Sequence, residues 1–137
     1  MKSFHLRISP SVEREIAAAI LAENSGAENS GDAATAFMHL ERAHILGQAS
    51  TRHHVRVHLL MFCWGWRRKQ WKECLGQLLR LAGAATKTAF GLVPTGNPGG
   101  TRISPFRSVP VPPDLQQLIT AARPASSPSR LKNRAGA

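Results

Sequence analysis

LERAHILGQASTRHHVRVHL, residues 40–59, is the stretch that decides the fold. Gly47 is a natural helix stop, and Thr51 can cap a following helix. If residues 48–51 form the turn, the flanking segments become an antiparallel helical hairpin. Within each segment, two polar residues share one helical face, because Glu41 and His44 are three apart and His54 and His58 four apart.

The apolar pattern on either side of this hairpin predicts four main helices, at about 10–23, 32–47, 52–68 and 70–86. Ser9 and Pro10 resemble a helix start, with a capping hydroxyl before a proline at the first helical position, so residues 1–8 are expected as a lead-in. Short connections imply antiparallel neighbours. The packing expected is that of tetratricopeptide-type hairpins, although no 34-residue repeat recurs.

Beyond residue 88 the chain changes character. Residues 88–112 are dense in Pro and Gly, and so long a connection without helices tends to be functional or to wrap the body. A short last helix is expected at about 114–123, and residues 124–137 are expected to be a disordered basic tail. The prediction is therefore a mostly α, single helical domain over residues 1–123 that includes an extended wrapping segment.

Charge is spread unevenly along the 137 residues. Residues 1–41 hold three basic and six acidic side chains, a balance of −3, whereas residues 42–137 hold fifteen basic and two acidic, a balance of +13. A basic back half favours acidic partners such as nucleic acid or an acidic protein. No run is long enough to span a bilayer, and the two cysteines imply no disulfide framework, so a cytoplasmic protein is expected.

Glu41, His44, His54 and His58 form the strongest candidate site. In the predicted hairpin, His44 is level with His54 and Glu41 with His58, so the four residues converge near the tip. Imidazole and carboxylate groups suit Zn, Fe, Mn or Cu, and the residues are therefore predicted metal ligands. Arg42 and Arg56 are expected to lie next to these ligands and to contact them without binding the metal.

The competing interpretation is a buried polar network without metal. Glu41 would pair with Arg42, Arg52 or Arg56, and the histidines would hydrogen-bond within the hairpin seam, since buried polar groups need partners in any case. The chain would then be a metal-free helical interaction module.

A second candidate surface combines cations with tryptophans near the third turn. Its cations are Arg67, Arg68, Lys69 and Lys72, and the tryptophans are Trp64, Trp66 and Trp71. Such a patch can bind nucleic acid or an acidic protein, but a solvated corner over core tryptophans has the same composition. No nucleic-acid signature and no nucleophile–base spacing accompanies it. Enzymatic activity is thus left open, with a binding protein favoured.

Several runs resemble the bacterial domain of unknown function 3703 family. They are AFMHLERAHILGQ (36–48), HVRVH (54–58), GQLLR (76–80), GAATKT (83–88), GLVP (91–94) with Gly96-Asn97, and SPF (104–106). The resemblance implies a small helical protein without an established activity, and it implies that the Glu/His residues belong to a shared pattern. The family's loop reads Asn-Thr-Gly-Gly where this chain has Asn97-Pro98-Gly99-Gly100. Pro98 lacks a backbone donor, so the 94–100 loop is expected to be an ordinary turn and not an anion cradle.

Overall fold

The computed structural model describes residues 2–25, 30–89 and 95–123. Over these ranges the chain forms five helices and no strand: α1 (Lys2–Ser25), α2 (Ser30–Gly47), α3 (Thr51–Arg67), α4 (Trp71–Ala89) and α5 (Pro113–Ala122). The predicted mostly α fold is confirmed. The expected tail at 124–137 lies outside the described residues.

The first helix begins earlier than the sequence suggested. The expected lead-in is part of α1, and Pro10 lies inside the helix instead of at its start. The reason is burial. Ile8 is 1% exposed and Val12 fully buried, and Phe4 packs against the same core. The apolar face therefore continues one turn upstream at i, i+4 spacing, and this burial outweighs the loss of one backbone donor at Pro10.

Consecutive helices pack as neighbours. α1 lies along α2, α2 against α3 and α3 against α4, while α5 returns onto α1 and α2. The core is made mainly by α1, α2 and α3, and Leu115 of α5 completes it with no exposed surface. None of the helices in the described ranges is both long enough and apolar enough to cross a membrane.

The turn between α2 and α3 is tight and depends on a glycine. The Ser50 N–H donates to the Gly47 carbonyl at 2.9 Å, and Ser50, rather than the expected Thr51, occupies the N-cap position. A Cβ atom on Gly47 would lie 2.8 Å from the Cβ of His53. Glycine therefore allows the two helices to approach closely enough to bring their histidines together.

Residues 95–112 are non-helical and are held together by one asparagine. The Asn97 side-chain amide donates to the carbonyls of Ser104 and Arg107 at 2.8 and 2.7 Å, while its oxygen accepts from the Gly99 N–H at 3.0 Å. Gly96 has a φ of +72°, and a Cβ there would meet the Val109 carbonyl. This segment lies over α2 and α4, and it thereby closes one side of the site described next.

Candidate metal centre

Three of the predicted ligands lie close together. His44 lies on the last turn of α2, and His54 and His58 lie on successive turns of α3. If one ring nitrogen is taken from each histidine, the three nitrogens lie within 4.8 Å of one another. All three residues are buried, with 2–5% of their surface exposed. We call His44, His54 and His58 the histidine cluster.

The tautomer of His44 follows from its surroundings. Its Nδ1 lies 2.8 Å from the backbone carbonyl oxygen of Asn97. A carbonyl can only accept, so Nδ1 carries the proton and donates. In the neutral ring, Nε2 is consequently an unprotonated acceptor.

The tautomer of His58 is set by a chain of two further side chains. Its Nδ1 lies 2.6 Å from Oε1 of Gln77. The amide cannot be flipped, because its Nε2 donates to the Gly99 carbonyl at 2.9 Å and to Glu73 Oε1 at 2.6 Å. His58 Nδ1 must therefore donate to Gln77, and its Nε2 is also an acceptor when the ring is neutral.

The two acceptor atoms face each other. His44 Nε2 and His58 Nε2 are 3.2 Å apart, yet neither carries a proton to share when both rings are neutral. Two lone pairs at this distance repel, and a cation that accepts both would remove the repulsion. Two nitrogen ligands ~2.0–2.1 Å from a tetrahedral Zn²⁺ lie ~3.3 Å apart. The spacing therefore fits two ligands of one ion.

Burial keeps the three imidazoles neutral at physiological pH. The pKa of His54 is lowered to about 3, mainly by loss of hydration and then by the charges of His58 and Arg80. The pKa of His58 is lowered to about 4, again mainly by loss of hydration, although its hydrogen bond to Gln77 acts in the opposite direction. Burial also lowers the pKa of His44 far below its usual value, with repulsion from His58 and His54 adding to the effect. Neutral imidazole is the form that coordinates metals.

The cluster opens onto a cavity of about 430 Å³. Leu79, Ile103, Pro105 and Phe106 supply apolar wall, and Arg80 is a cation at the same cavity. The half-buried guanidinium donates to the carbonyls of Gly100, at 3.0 Å, and Ile103. Burial lowers the pKa of Arg80, opposed by the charge of Glu73. The cluster is thus reachable from a concave surface.

Glu41, the fourth predicted ligand, is not part of the group that the described residues form. Its carboxylate lies beside the loop instead, since a Cβ on Gly100 would be 2.8 Å from Glu41 Oε1. Three residues turn a helix by about 300°, which leaves Glu41 offset by about 60° from His44. Burial raises the pKa of Glu41; the charge of Arg102 opposes that shift, and Glu73 adds to it.

The two arginines predicted to support the ligands are placed elsewhere. Arg42 donates to Glu15 and Asp114, and Arg56 pairs with Glu13 of α1. The histidines are instead hydrogen-bonded by Asn97 and Gln77, and Gln77 is held in turn by Glu73. Sequence reasoning missed all three, because they lie on α4 and the distant loop, and the only signal was the presence of Gln77 and Asn97 in the runs shared with the family.

One ion pair within the protein reduces the net positive charge of the cationic patch near the α3–α4 turn. Arg67 donates two hydrogen bonds to the Glu23 carboxylate, at 2.8 and 2.7 Å. Beside the patch, α4 exposes apolar side chains, including Trp71 at 57% and Leu79 at 70%. Trp66 and Trp71 contact each other edge to face, with ring centroids 5.3 Å apart.

The described helices, with their buried histidine cluster, define a small α-helical protein. Residues 11–119 match the family model described as "Protein of unknown function (DUF3703)". The chain therefore belongs to that family, as the resemblance suggested. No curated protein and no solved structure matches the chain significantly.

Proposed function

We propose that this protein binds one divalent transition metal ion through His44, His54 and His58. The observation that carries the proposal is the 3.2 Å approach of two Nε2 atoms whose partner nitrogens, the Nδ1 atoms of His44 and His58, are already committed as donors. Hydrogen bonds from the far side of ligand rings are typical of metal sites, where they set the tautomer and orient the ring.

The ligand set narrows the choice of metal. Three imidazoles without a carboxylate suit Zn, Cu or Fe better than Mn, which prefers oxygen ligands. Three protein ligands also leave a tetrahedral ion with an open position, the arrangement of catalytic and responsive sites rather than of closed structural ones. Glu41 is then a reserve ligand at most, since reaching the ion would require its side chain to leave the loop at Gly100.

The test uses the full untagged chain. Elemental analysis after purification, followed by calorimetric titration of the metal-free protein with Zn²⁺, should give about one ion per chain. His58→Asn is the informative variant, because asparagine can still donate to Gln77 but has no atom at the Nε2 position. We expect its Zn²⁺ affinity to fall by more than the ~10–100-fold typical of losing a ligand's hydrogen-bond partner.

The matched control is His39→Gln. His39 lies on the opposite side of the hairpin, with its Nδ1 2.7 Å from Glu15, so its replacement should leave Zn²⁺ binding unchanged. The proposal fails if the wild-type chain takes up no stoichiometric metal, or if His58→Asn binds Zn²⁺ as well as His39→Gln does.

One observation favours a second candidate function, that of a module for an acidic protein partner. The α4 face that carries Trp71, Leu75 and Leu79 is exposed, and Arg68, Lys69 and Lys72 lie next to it. An acidic amphipathic helix matches this surface in charge and polarity. Such a peptide should bind at physiological salt where polyglutamate does not, and Leu75→Glu should abolish binding without affecting metal content.

A reducing, cytoplasmic setting is part of the proposal. Cys63 is an exposed free thiol and Cys74 a buried one, and free exposed thiols persist best where the cell keeps them reduced.

A further inference from the structure

The charges around the histidine cluster balance without a metal. Two carboxylates, Glu41 and Glu73, lie close enough to influence each other, and two guanidiniums, Arg102 and Arg80, act on them in turn. Imidazoles that ligate a metal are themselves neutral. A divalent ion bound there would therefore bring two positive charges that no neighbouring group in the described part of the chain offsets.

Neither carboxylate is well placed to supply the missing charge. Glu73 accepts from the Thr101 N–H at 3.1 Å, from the Thr101 hydroxyl and from Gln77. Glu41 lies outside the cluster, against Gly100. In a partly enclosed cavity an uncompensated double charge is costly, because charges taken out of water need a partner.

Arg80 lines the same cavity as the cluster, and its hydrogen-bond partners are neutral carbonyls of residues 100 and 103. The positive guanidinium therefore has no direct hydrogen bond to a carboxylate within the described residues. A planar guanidinium beside a metal with an open position is a combination that recognises planar anions. The wall formed by Leu79, Ile103 and Phe106 adds apolar surface for a ligand's body.

We infer that the metal-loaded cavity binds a small carboxylic acid, with its carboxylate between the metal ion and Arg80 and its apolar part against Leu79, Ile103 and Phe106. This inference rests on the proposed metal site. The volume of about 430 Å³ falls in the range of small-molecule pockets. The ligand's negative charge offsets part of the ion's charge, and its apolar body is removed from water.

The experiment uses Co²⁺-loaded full-length protein, because the visible absorption of Co²⁺ reports changes in its ligands. Benzoate is the probe, and benzamide, which has the same shape without the charge, is its control. Benzoate should change the spectrum saturably and benzamide should not. Arg80→Met should weaken benzoate binding about tenfold or more, because a charged hydrogen bond to the carboxylate is lost.

Two further variants separate charge from folding. Arg80→Lys keeps the charge but loses the planar pair of donors, so it should bind benzoate more weakly than wild type and more tightly than Arg80→Met. Arg107→Met removes the same charge from an exposed position and should behave as wild type. Thermal unfolding and Co²⁺ stoichiometry are measured for each variant, so that a disrupted loop is recognised.

The possible failures are distinguishable. If the wild-type chain binds no Co²⁺ or Zn²⁺, the proposed function itself is wrong, and this inference falls with it. If Co²⁺ binds but benzoate leaves the spectrum unchanged, or acts no differently from benzamide, the carboxylate inference is overturned and the metal site stands. Unchanged benzoate affinity in a folded, metal-loaded Arg80→Met protein also overturns it.

Discussion

Two neighbouring histidines on α3 show how different the two sides of this helix are. His53 faces α1, where its Nε2 lies 2.6 Å from the Ser9 hydroxyl. His54, the next residue, faces His44 and His58. On the same side of α3, a cation meets a carboxylate of α1, since Arg56 pairs with Glu13. On the cavity side, like groups converge. The first arrangement stabilises the fold, whereas the second is the one that we propose to bind a cation.

The largest difference between the two sides is expected in how protonation of their histidines affects stability. Burial lowers the pKa of His54 to about 3 and of His58 to about 4, against about 6.5 in the unfolded chain. Between these values the unfolded state holds more protons, so stability falls as the pH decreases below about 6.5. The fall continues until each histidine is also protonated in the folded state, at about pH 4 for His58 and about pH 3 for His54. The loss for several histidines together should be on the order of the stability of a small domain.

The measurement is denaturant unfolding of metal-free protein between pH 7 and pH 4. His54→Phe removes one such group and should flatten the pH dependence relative to wild type. Equal slopes in wild type and His54→Phe would show that the cluster does not exclude protons as described.

Substitution of Gly99 should have the next largest effect, because it disturbs the cavity side alone. Gly99 has a φ of +85°, and a Cβ there would lie 2.9 Å from carbon atoms of the His44 ring. Gly99→Ala should lower the free energy of unfolding by about 3 kcal/mol, from backbone strain and overpacking together. Zn²⁺ affinity should fall as well, since His44 must move.

Gly65→Ala is the control for this prediction. Gly65 lies in helix α3, where the nearest atom to an added Cβ is Cys74 Sγ at 3.2 Å. Alanine's better helix propensity, worth up to about 1 kcal/mol, opposes this tight contact. A Gly99→Ala protein as stable as Gly65→Ala would contradict the loop packing described here.

Gln77→Leu affects the cavity side of α3 without changing the histidines. It removes the side chain that hydrogen-bonds His58 and leaves the three proposed ligands in place. Gln77 has no exposed surface. Its loss leaves the His58 Nδ1–H and the Gly99 carbonyl unpaired, at about 1–3 kcal/mol each where water cannot replace the partner. Zn²⁺ affinity should fall ~10–100-fold. Gln117→Leu, at an exposed position of α5, is the matched control. Zn²⁺ affinity preserved in Gln77→Leu would exclude a role of Gln77 in orienting His58.

The smallest effect is expected on the α1 side. Arg56 and Glu13 form an ion pair in which both side chains are nearly half exposed, at 44% and 47%. Arg56→Ala should cost no more than about 1 kcal/mol of stability, less at high salt, and should not change metal binding. A large loss of Zn²⁺ affinity in this variant would restore Arg56 to the supporting role predicted from sequence.

Part of the site could be predicted because it depends on local geometry. His54 and His58 share a face at i, i+4 spacing, and a short turn after Gly47 brings His44 opposite them. Glu41 was less predictable, since a 60° offset on a helix decides which neighbour a side chain meets. That neighbour, Gly100, belongs to a loop whose path no periodicity specifies.

The sequence by itself determined the number and order of the helices, the hairpin and the meeting of three histidines, because these follow from periodicity and from turn residues close together in the chain. Only the tertiary structure decided the start of α1, the exclusion of Glu41 and the tautomers of His44 and His58. His44 meets Asn97 across 53 positions and His58 meets Gln77 across 19. Contacts at such separations arise from packing of the whole chain, so the spacing of nearby residues does not predict them.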